Sequence, residues 1–66
     1  MNMNLLRSKM ALQGHQTKDL AKILGITSSG VTKKFKGVVG FFQEDVQKII
    51  DAYQLTPKET IEIFFR

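Results

Sequence analysis

Hydroxyl groups and lysines alternate with apolar residues in one short segment near the middle of this 66-residue chain. Val31 and Phe35 are four positions apart, so a helix would direct both side chains to one buried side. Ser29, Thr32 and Lys33 would then point outward, because successive helical residues are separated by 100°. Outward hydroxyl and ammonium groups can hydrogen-bond to base edges and phosphate oxygens, which indicates nucleic-acid binding.

The sequence contains no set of residues that indicates a catalytic or metal-binding site. The chain has no cysteine, and its single histidine, His15, has no carboxylate pair near it in sequence. The acids fall on expected helix starts and outer faces, without a base or nucleophile to serve: Glu44, Asp45, Asp51, Glu59 and Glu62. We therefore expect His15 to be a loop residue, and we expect no enzymatic activity, metal, cofactor or small-molecule ligand.

The basic charge is concentrated in one part of the chain. Residues 18–40 hold five lysines and one aspartate, whereas residues 41–66 hold three basic and five acidic residues. Charge segregated in this way is typical of a nucleic-acid-binding face. A solvated lysine face without a partner would have the same composition, and the coincidence with the polar segment is what favours binding.

Two short helices are expected to position the polar segment. The first carries three apolar residues at i, i+3 and i+4: Leu20, Ile23 and Leu24. It begins at Gln16 or Thr17 and ends at Gly25, which can adopt a left-handed conformation without steric cost. Thr27 then caps a second helix, at about Ser28 to Phe35.

Three further helices are expected to brace this pair, at about Met3 to Gln13, at about Gln43 to Tyr53 and from Pro57 onward. The Gln43–Tyr53 helix has a strong apolar stripe: Val46, Ile49, Ile50 and Tyr53. The last has a capping box with proline at its first position: Thr56, Pro57 and Glu59. Its apolar side is expected to comprise Ile61, Phe64 and Phe65. The predicted fold is all-α, one compact five-helix domain spanning residues 1–66.

Composition limits where such a domain can act. The core must come from the 42% of residues that are apolar, because no cysteine is present to form a disulfide. No run approaches the 18 or more apolar residues of a membrane span, and Met1 to Leu12 is too polar for a signal peptide. We expect a cytoplasmic protein without a membrane partner.

Several residues of the two central helices follow a known pattern: Leu20-Ala21, Gly25, Ser29-Gly30-Val31 and Phe35-Lys36-Gly37. Through them the chain resembles the helix-turn-helix of the lambda-repressor-like superfamily, which includes phage repressors, Cro proteins and XRE-type regulators. It departs from that pattern at Thr17, where many members carry Gln, at Lys34, where most have an apolar residue, and at Phe42, where a capping Ser or Thr is common. The resemblance implies a transcriptional regulator that reads the DNA major groove with its third helix.

The predicted contacts with DNA are the polar residues of the helix pair and the following loop: Gln16, Thr17, Thr27, Ser28, Ser29, Gly30, Thr32, Lys33 and Lys36. Gly30 is expected on the outward side, where it allows close approach to the groove. Lys36 is the best candidate for a phosphate contact beyond the third helix. Arg7 and Lys9 lie off the apolar stripe of the first helix, and they either flank the DNA backbone or only add solubility.

The C-terminal end suggests a dimer, because three of the last four residues are apolar: Ile63, Phe64 and Phe65. A homodimer formed there would bind a palindromic operator. Alternatively, both phenylalanines fill a thin core.

Two other functions remain open. One is a protein-interaction module, such as an antitoxin or antirepressor. The other is RNA binding, which is disfavoured because the basic region lacks exposed stacking aromatics.

Overall fold

The computed structural model describes all 66 residues, Met1 to Arg66, and contains five helices and no strands. The helices are α1 (Met3–Leu12), α2 (Thr17–Leu24), α3 (Ser28–Phe35), α4 (Gln43–Tyr53) and α5 (Pro57–Phe64). The all-α prediction and the order of its elements are confirmed, and only α1 ends one residue earlier than expected. None of these helices has the length and apolar character needed to cross a membrane.

Two hydrogen bonds and one left-handed glycine explain where α2 begins and ends and where α3 begins. The backbone N–H of Gln16 donates to Asp19 Oδ2 at 2.7 Å, whereas the Gln16 amide makes no capping bond. Gly25 has a φ of 71°, the left-handed conformation that stops α2. Thr27 caps α3 as predicted, since its hydroxyl oxygen accepts a hydrogen bond from the Gly30 N–H at 3.1 Å.

One apolar cluster joins all five helices. Its fully buried members are Leu6, Leu20, Val31, Ile49 and Ile63. Burial of Val31 is important for α3, because the serines, glycine and threonine of that helix have poor helical propensity. Tyr53 also reaches the cluster, and its hydroxyl lies 2.8 Å from Nδ1 of the half-buried loop residue His15. The scaffold therefore holds α3 mainly by tertiary packing.

The apolar side of α5 differs from the prediction. Ile63 and Phe64 are buried, whereas Ile61 is 46% exposed and Phe65 is 70% exposed. Residue 61 lies 200° around the helix from Ile63, so the two cannot share a face. Phe65 follows the last helical residue and is directed away from the core. The expected set of Ile61, Phe64 and Phe65 is therefore correct only for Phe64.

The connection from α3 to α4 contains a buried ion pair that the sequence did not suggest. Lys34 and Asp45 are 5% and 7% exposed, and Nζ lies 2.9 Å from Oδ2. Lys34 follows Val31 by three positions, which places both on the inward side of α3. Asp45 is at N3 of α4, and its carboxylate turns back to accept the Phe42 N–H at 2.9 Å. Asp45 therefore lies at a helix start, as the sequence predicts, but its burial against Lys34 was not expected.

Candidate nucleic-acid interface

The outward face of α3 consists of four exposed polar side chains: Ser28, Ser29, Thr32 and Lys33. The Thr32 hydroxyl donates to the Ser28 carbonyl at 3.1 Å, so its oxygen remains free only to accept hydrogen bonds. The Lys33 ammonium has no acidic partner and can only donate. Two adjacent residues of this face therefore offer complementary groups to a ligand: the Thr32 oxygen can accept a hydrogen bond and the Lys33 ammonium can donate one.

The start of α3 is also accessible. Thr27 is exposed, and because its oxygen accepts the capping bond its hydroxyl proton remains available to a ligand. The backbone N–H groups of Ser28 and Ser29 lie in the first turn, where a helix supplies no internal partner. These donors lie next to the outward face and carry the partial positive charge of the helix N-terminus.

Gly30 does not belong to this face. It is half-buried, and a Cβ built on it would lie 3.3 Å from Ile26 Cδ1 and 3.5 Å from Thr27 Oγ1. The expectation that Gly30 lies on the outward side is therefore wrong. The Ile26 side chain lies over the start of α3 at this point, and the absence of a side chain at residue 30 gives it room.

A surface cleft of about 410 Å³ adjoins the outward face at its far end. Its polar lining comes from α1, the start of α2 and the end of α3: Arg7, His15, Gln16, Thr17, Thr32 and Lys36. The structure thus brings four predicted contacts into one concave site: Gln16, Thr17, Thr32 and Lys36. Free N–H groups in the first turn of α2, an amide, a hydroxyl and cationic groups are donors suited to an anion such as phosphate.

Arg7 is a member of this cleft that the sequence left undecided. Its Cζ atom lies 4.8 Å from the centroid of the Phe35 ring, so the cation is held at the rim while the residue stays exposed. Lys9, the other undecided residue, forms an ion pair with Glu59 of α5. Arg7 and Lys9 therefore differ in their partners, Phe35 and Glu59, which lie far from α1 in sequence. The periodicity of α1 alone could not distinguish the two residues.

One acidic side chain lies within the basic segment. The hydrogen bond from the Gln16 backbone N–H is the main cause that lowers the pKa of Asp19, and the charges of His15, Lys18 and Lys22 act in the same direction. Asp19 is therefore ionised at neutral pH and occupies the Gln16 N–H. The N–H groups of Thr17 and Lys18 remain as the free backbone donors at the start of α2.

The three residues proposed for a dimer interface do not share one surface. Ile63 is fully buried, and Phe64 is 8% exposed with its ring packed edge-on against Phe41 at a centroid distance of 5.2 Å. These two residues fill the core of the single chain, so the dimer assignment is wrong for them. Phe65 is exposed, and it lines an apolar groove with Met1, which is also exposed.

Comparison with known proteins gives one finding about the whole chain. A family model described as the BetR domain matches residues 3–63, from the first residue of α1 to the last but one of α5. No curated protein and no solved structure matches the chain. Because the matched region includes the helix pair, the cleft and nearly all of the scaffold, the chain belongs to the BetR domain family.

Proposed function

We propose that this protein is a sequence-specific, double-stranded DNA-binding regulator of transcription that inserts α3 into the major groove. One observation carries the proposal: the outward face of α3 adjoins the donor-lined cleft, because Thr32 belongs to both. A duplex presents base edges and backbone phosphates side by side in the same way. In this proposal α2 and α3 act as a helix-turn-helix, as the resemblance to phage repressors implies.

Base recognition is assigned to three residues of the outward face. The ammonium group of Lys33 can donate to O6 and N7 of guanine. The Thr32 oxygen can accept from the amino group of adenine or cytosine, because its proton is already used within α3. Ser29 can donate or accept, and its small side chain permits close approach. These contacts would supply selectivity among sequences.

Phosphate binding is assigned to the cleft and to the start of α3. Lys36 and Arg7 supply charge there, while Gln16 and Thr17 supply neutral donors beside the N-terminus of α2. Thr27 and the first N–H groups of α3 can bind a second phosphate. Contacts of this kind fix the register of a protein on a duplex without reading its sequence.

Alanine variants distinguish the two kinds of contact on a duplex selected from random DNA. We expect Lys36→Ala to weaken binding to the selected duplex and to unrelated DNA alike, and to lower the salt slope of log K by about 0.9. Ser29→Ala and Lys33→Ala should change the preference among duplexes, by about 1–3 kcal/mol where a hydrogen bond to a base is removed. Lys58→Ala removes the same charge from α5 and serves as the control. Equal weakening on selected and unrelated DNA for Ser29→Ala and Lys33→Ala would contradict the assignment.

The DNA-bound species is proposed to be a two-fold dimer. A single recognition helix reads few base pairs, so pairing on half-sites about one DNA turn apart increases selectivity. The exposed Phe65 and Met1 beside the groove supply apolar surface for such a contact. Sedimentation of the wild-type protein and of Phe65→Ala, with and without DNA, tests it. A wild-type monomer that binds a palindrome without cooperativity would contradict the dimer.

A further inference from the structure

Lys34 is a lysine in a core position of α3. Only 5% of it is exposed, and it lies on the inward side of the helix with Val31. Its neighbours in sequence, Lys33 and Phe35, are exposed and half-buried respectively. The charge of Lys34 therefore belongs to the interior, and the cationic surface available to a ligand is smaller than the number of lysines suggests.

The ammonium group of Lys34 connects three parts of the chain. Nζ donates to the Gly40 carbonyl at 2.8 Å and to Asp45 Oδ2 at 2.9 Å. It also lies 4.6 Å from the centroid of the Phe42 ring. The same Asp45 oxygen accepts the Phe42 N–H, so one pair of charged groups joins the end of α3, the loop of residues 36–42 and the start of α4.

The other attachments of the loop lie at its two ends. Near its start, the N–H groups of Gly37, Val38 and Val39 donate to carbonyls of α3, at 3.2, 2.9 and 3.4 Å. Near its end, the Phe41 ring packs edge-on against Phe35 and Phe64. Val38 and Val39 are 70% and 39% exposed, so neither is a firm apolar anchor. Lys36, the predicted phosphate contact, is the first residue of this loop and the C-cap of α3. Its backbone N–H donates to the Thr32 carbonyl at 3.0 Å, so the placement of Lys36 depends on the orientation of α3 as well as on how the loop is held.

We propose that Lys34 is a positioning residue for DNA binding. Its ammonium holds the loop and the start of α4 against the end of α3, which sets the direction of the outward face and of Lys36 relative to the cleft. It does so without contacting DNA, because the side chain is buried and its donors point to protein acceptors. This inference rests on the proposed DNA-binding function and assigns a role to a residue outside the binding surface.

The test compares Lys34→Met with the double variant Lys34→Met/Asp45→Asn. Lys34→Met leaves the Asp45 carboxylate buried without its cationic partner, so the melting temperature of this variant should be lower than that of wild type. In the double variant both buried charges are absent, and residue 45 keeps an oxygen for the Phe42 N–H. Replacing a buried ion pair by well-packed hydrophobic residues of similar volume is often neutral for stability, and here one partner becomes apolar and the other uncharged. The melting temperature of the double variant should therefore be higher than that of Lys34→Met. Neither variant can donate to the Gly40 carbonyl.

Binding to a selected duplex is measured well below the melting temperature of each folded variant. We expect the double variant to bind about tenfold more weakly than wild type, because the outward face and Lys36 are no longer held in register, while the salt slope stays unchanged. Lys36→Ala, measured beside it, should lower the slope. Backbone amide exchange at residues 37–39 of the free protein should be faster in the double variant.

Each other outcome has a distinct meaning. Wild-type affinity in the stable double variant would overturn the positioning role and leave Lys34 with a purely structural one. A reduced salt slope would overturn it in favour of a direct phosphate contact. If wild-type protein shows no preference among duplexes, the proposed function itself fails. If that preference is present and the Lys34 variants retain full affinity, only the inference about Lys34 fails.

Discussion

The two sides of α3 are held by different kinds of interaction. Toward α2, the contact is apolar and involves Leu20, Leu24 and Val31, all nearly inaccessible to solvent. Toward α4, the contact is a buried ion pair between Lys34 and Asp45, supplemented by hydrogen bonds to the loop. Apolar contact is non-directional and scales with buried area, whereas a buried ion pair is favourable only in a narrow geometry. The α2 side therefore supplies stability, and the α4 side supplies a defined orientation.

Lys34 and Lys36 show the same contrast between two residues of one type. Lys34 is buried with three protein partners, whereas Lys36 is exposed and lines the cleft. Removing either subtracts one positive charge from the protein. Only the removal of Lys36 should change how binding depends on salt, because only an exposed cation displaces counterions from DNA.

The largest expected effect comes from breaking the ionic side without replacing it. Asp45→Ala leaves Lys34 buried without its anion and leaves the Phe42 N–H without its acceptor. Removal of one partner of a buried pair costs about 3–5 kcal/mol. Chemical denaturation measures the change, and Asp51→Ala on the exposed side of α4 is the control, expected to stay within about 0.5 kcal/mol. An effect as small as the control's would show that the pair is not buried in solution.

Breaking the apolar side should have a comparable but slightly smaller effect. Leu20→Ala removes a fully buried side chain from the contact of α2 with the core, and such changes cost about 2–5 kcal/mol. Leu12→Ala removes the same atoms from a side chain that is 81% exposed. Denaturation of the two variants should separate them clearly, and similar midpoints would contradict the placement of Leu20 in the core.

Acid should weaken the ionic side selectively. Burial alone would raise the pKa of Asp45, but hydrogen bonds from Lys34 and from the Phe42 N–H, with the charges of Lys34 and Lys48, hold that pKa below its ordinary value. A carboxyl group of this kind contributes stability above its unfolded pKa of about 3.9, and the contribution disappears as pH falls through the lower folded pKa.

The measurement is the melting temperature as a function of pH, for wild type and Asp45→Asn. Wild type should lose stability more steeply below about pH 4, because the asparagine variant has no carboxyl group at residue 45 to protonate. Asp19 and Glu59, whose pKa values are also lowered, are present in both proteins and cancel in the comparison. Parallel profiles would mean that Asp45 contributes nothing through its charge.

The smallest expected effect concerns Gly30, which lies beside the turn that joins α2 to α3. Gly30→Ala should raise the free energy of unfolding by less than about 1 kcal/mol, since alanine reduces backbone freedom in the unfolded chain. The new methyl meets Ile26 Cδ1, the far end of a flexible side chain, and not the outward face of α3. We therefore expect unchanged affinity for a selected duplex. Thermal melts and one titration decide both points, and a lower melting temperature would mean that Ile26 cannot move aside.

The sequence predicts the parts of this molecule that depend on local pattern. Helix starts follow from capping residues such as Thr27 and Thr56, and the inward stripe of α4 follows from the spacing of its apolar residues, whereas the apolar side of α5 was predicted correctly only at Phe64. The DNA contacts assigned to Ser29, Lys33 and Lys36 stay predictions, although all three are exposed in the structure.

What the sequence cannot predict depends on partners distant along the chain. From the sequence, Lys34 is assigned to the basic face, because lysine is rarely buried. Its partner Asp45 lies eleven residues later, on another helix. The helical angle places Gly30 outward, whereas the turn residue Ile26 lies over that position. The pattern of nearby residues is compatible with Phe64 in a dimer interface, because nothing close to it in sequence shows that Phe41 packs against its ring.

A competition titration tests the central claim most directly. The wild-type protein is first used to select duplexes from a random pool, and its affinity is then compared between an enriched duplex and a scrambled one at fixed salt concentration. If α3 reads bases, the enriched duplex should bind tighter by about 10³-fold or more. Equal affinity for the two duplexes would contradict base reading and would favour the alternative of a protein-interaction module.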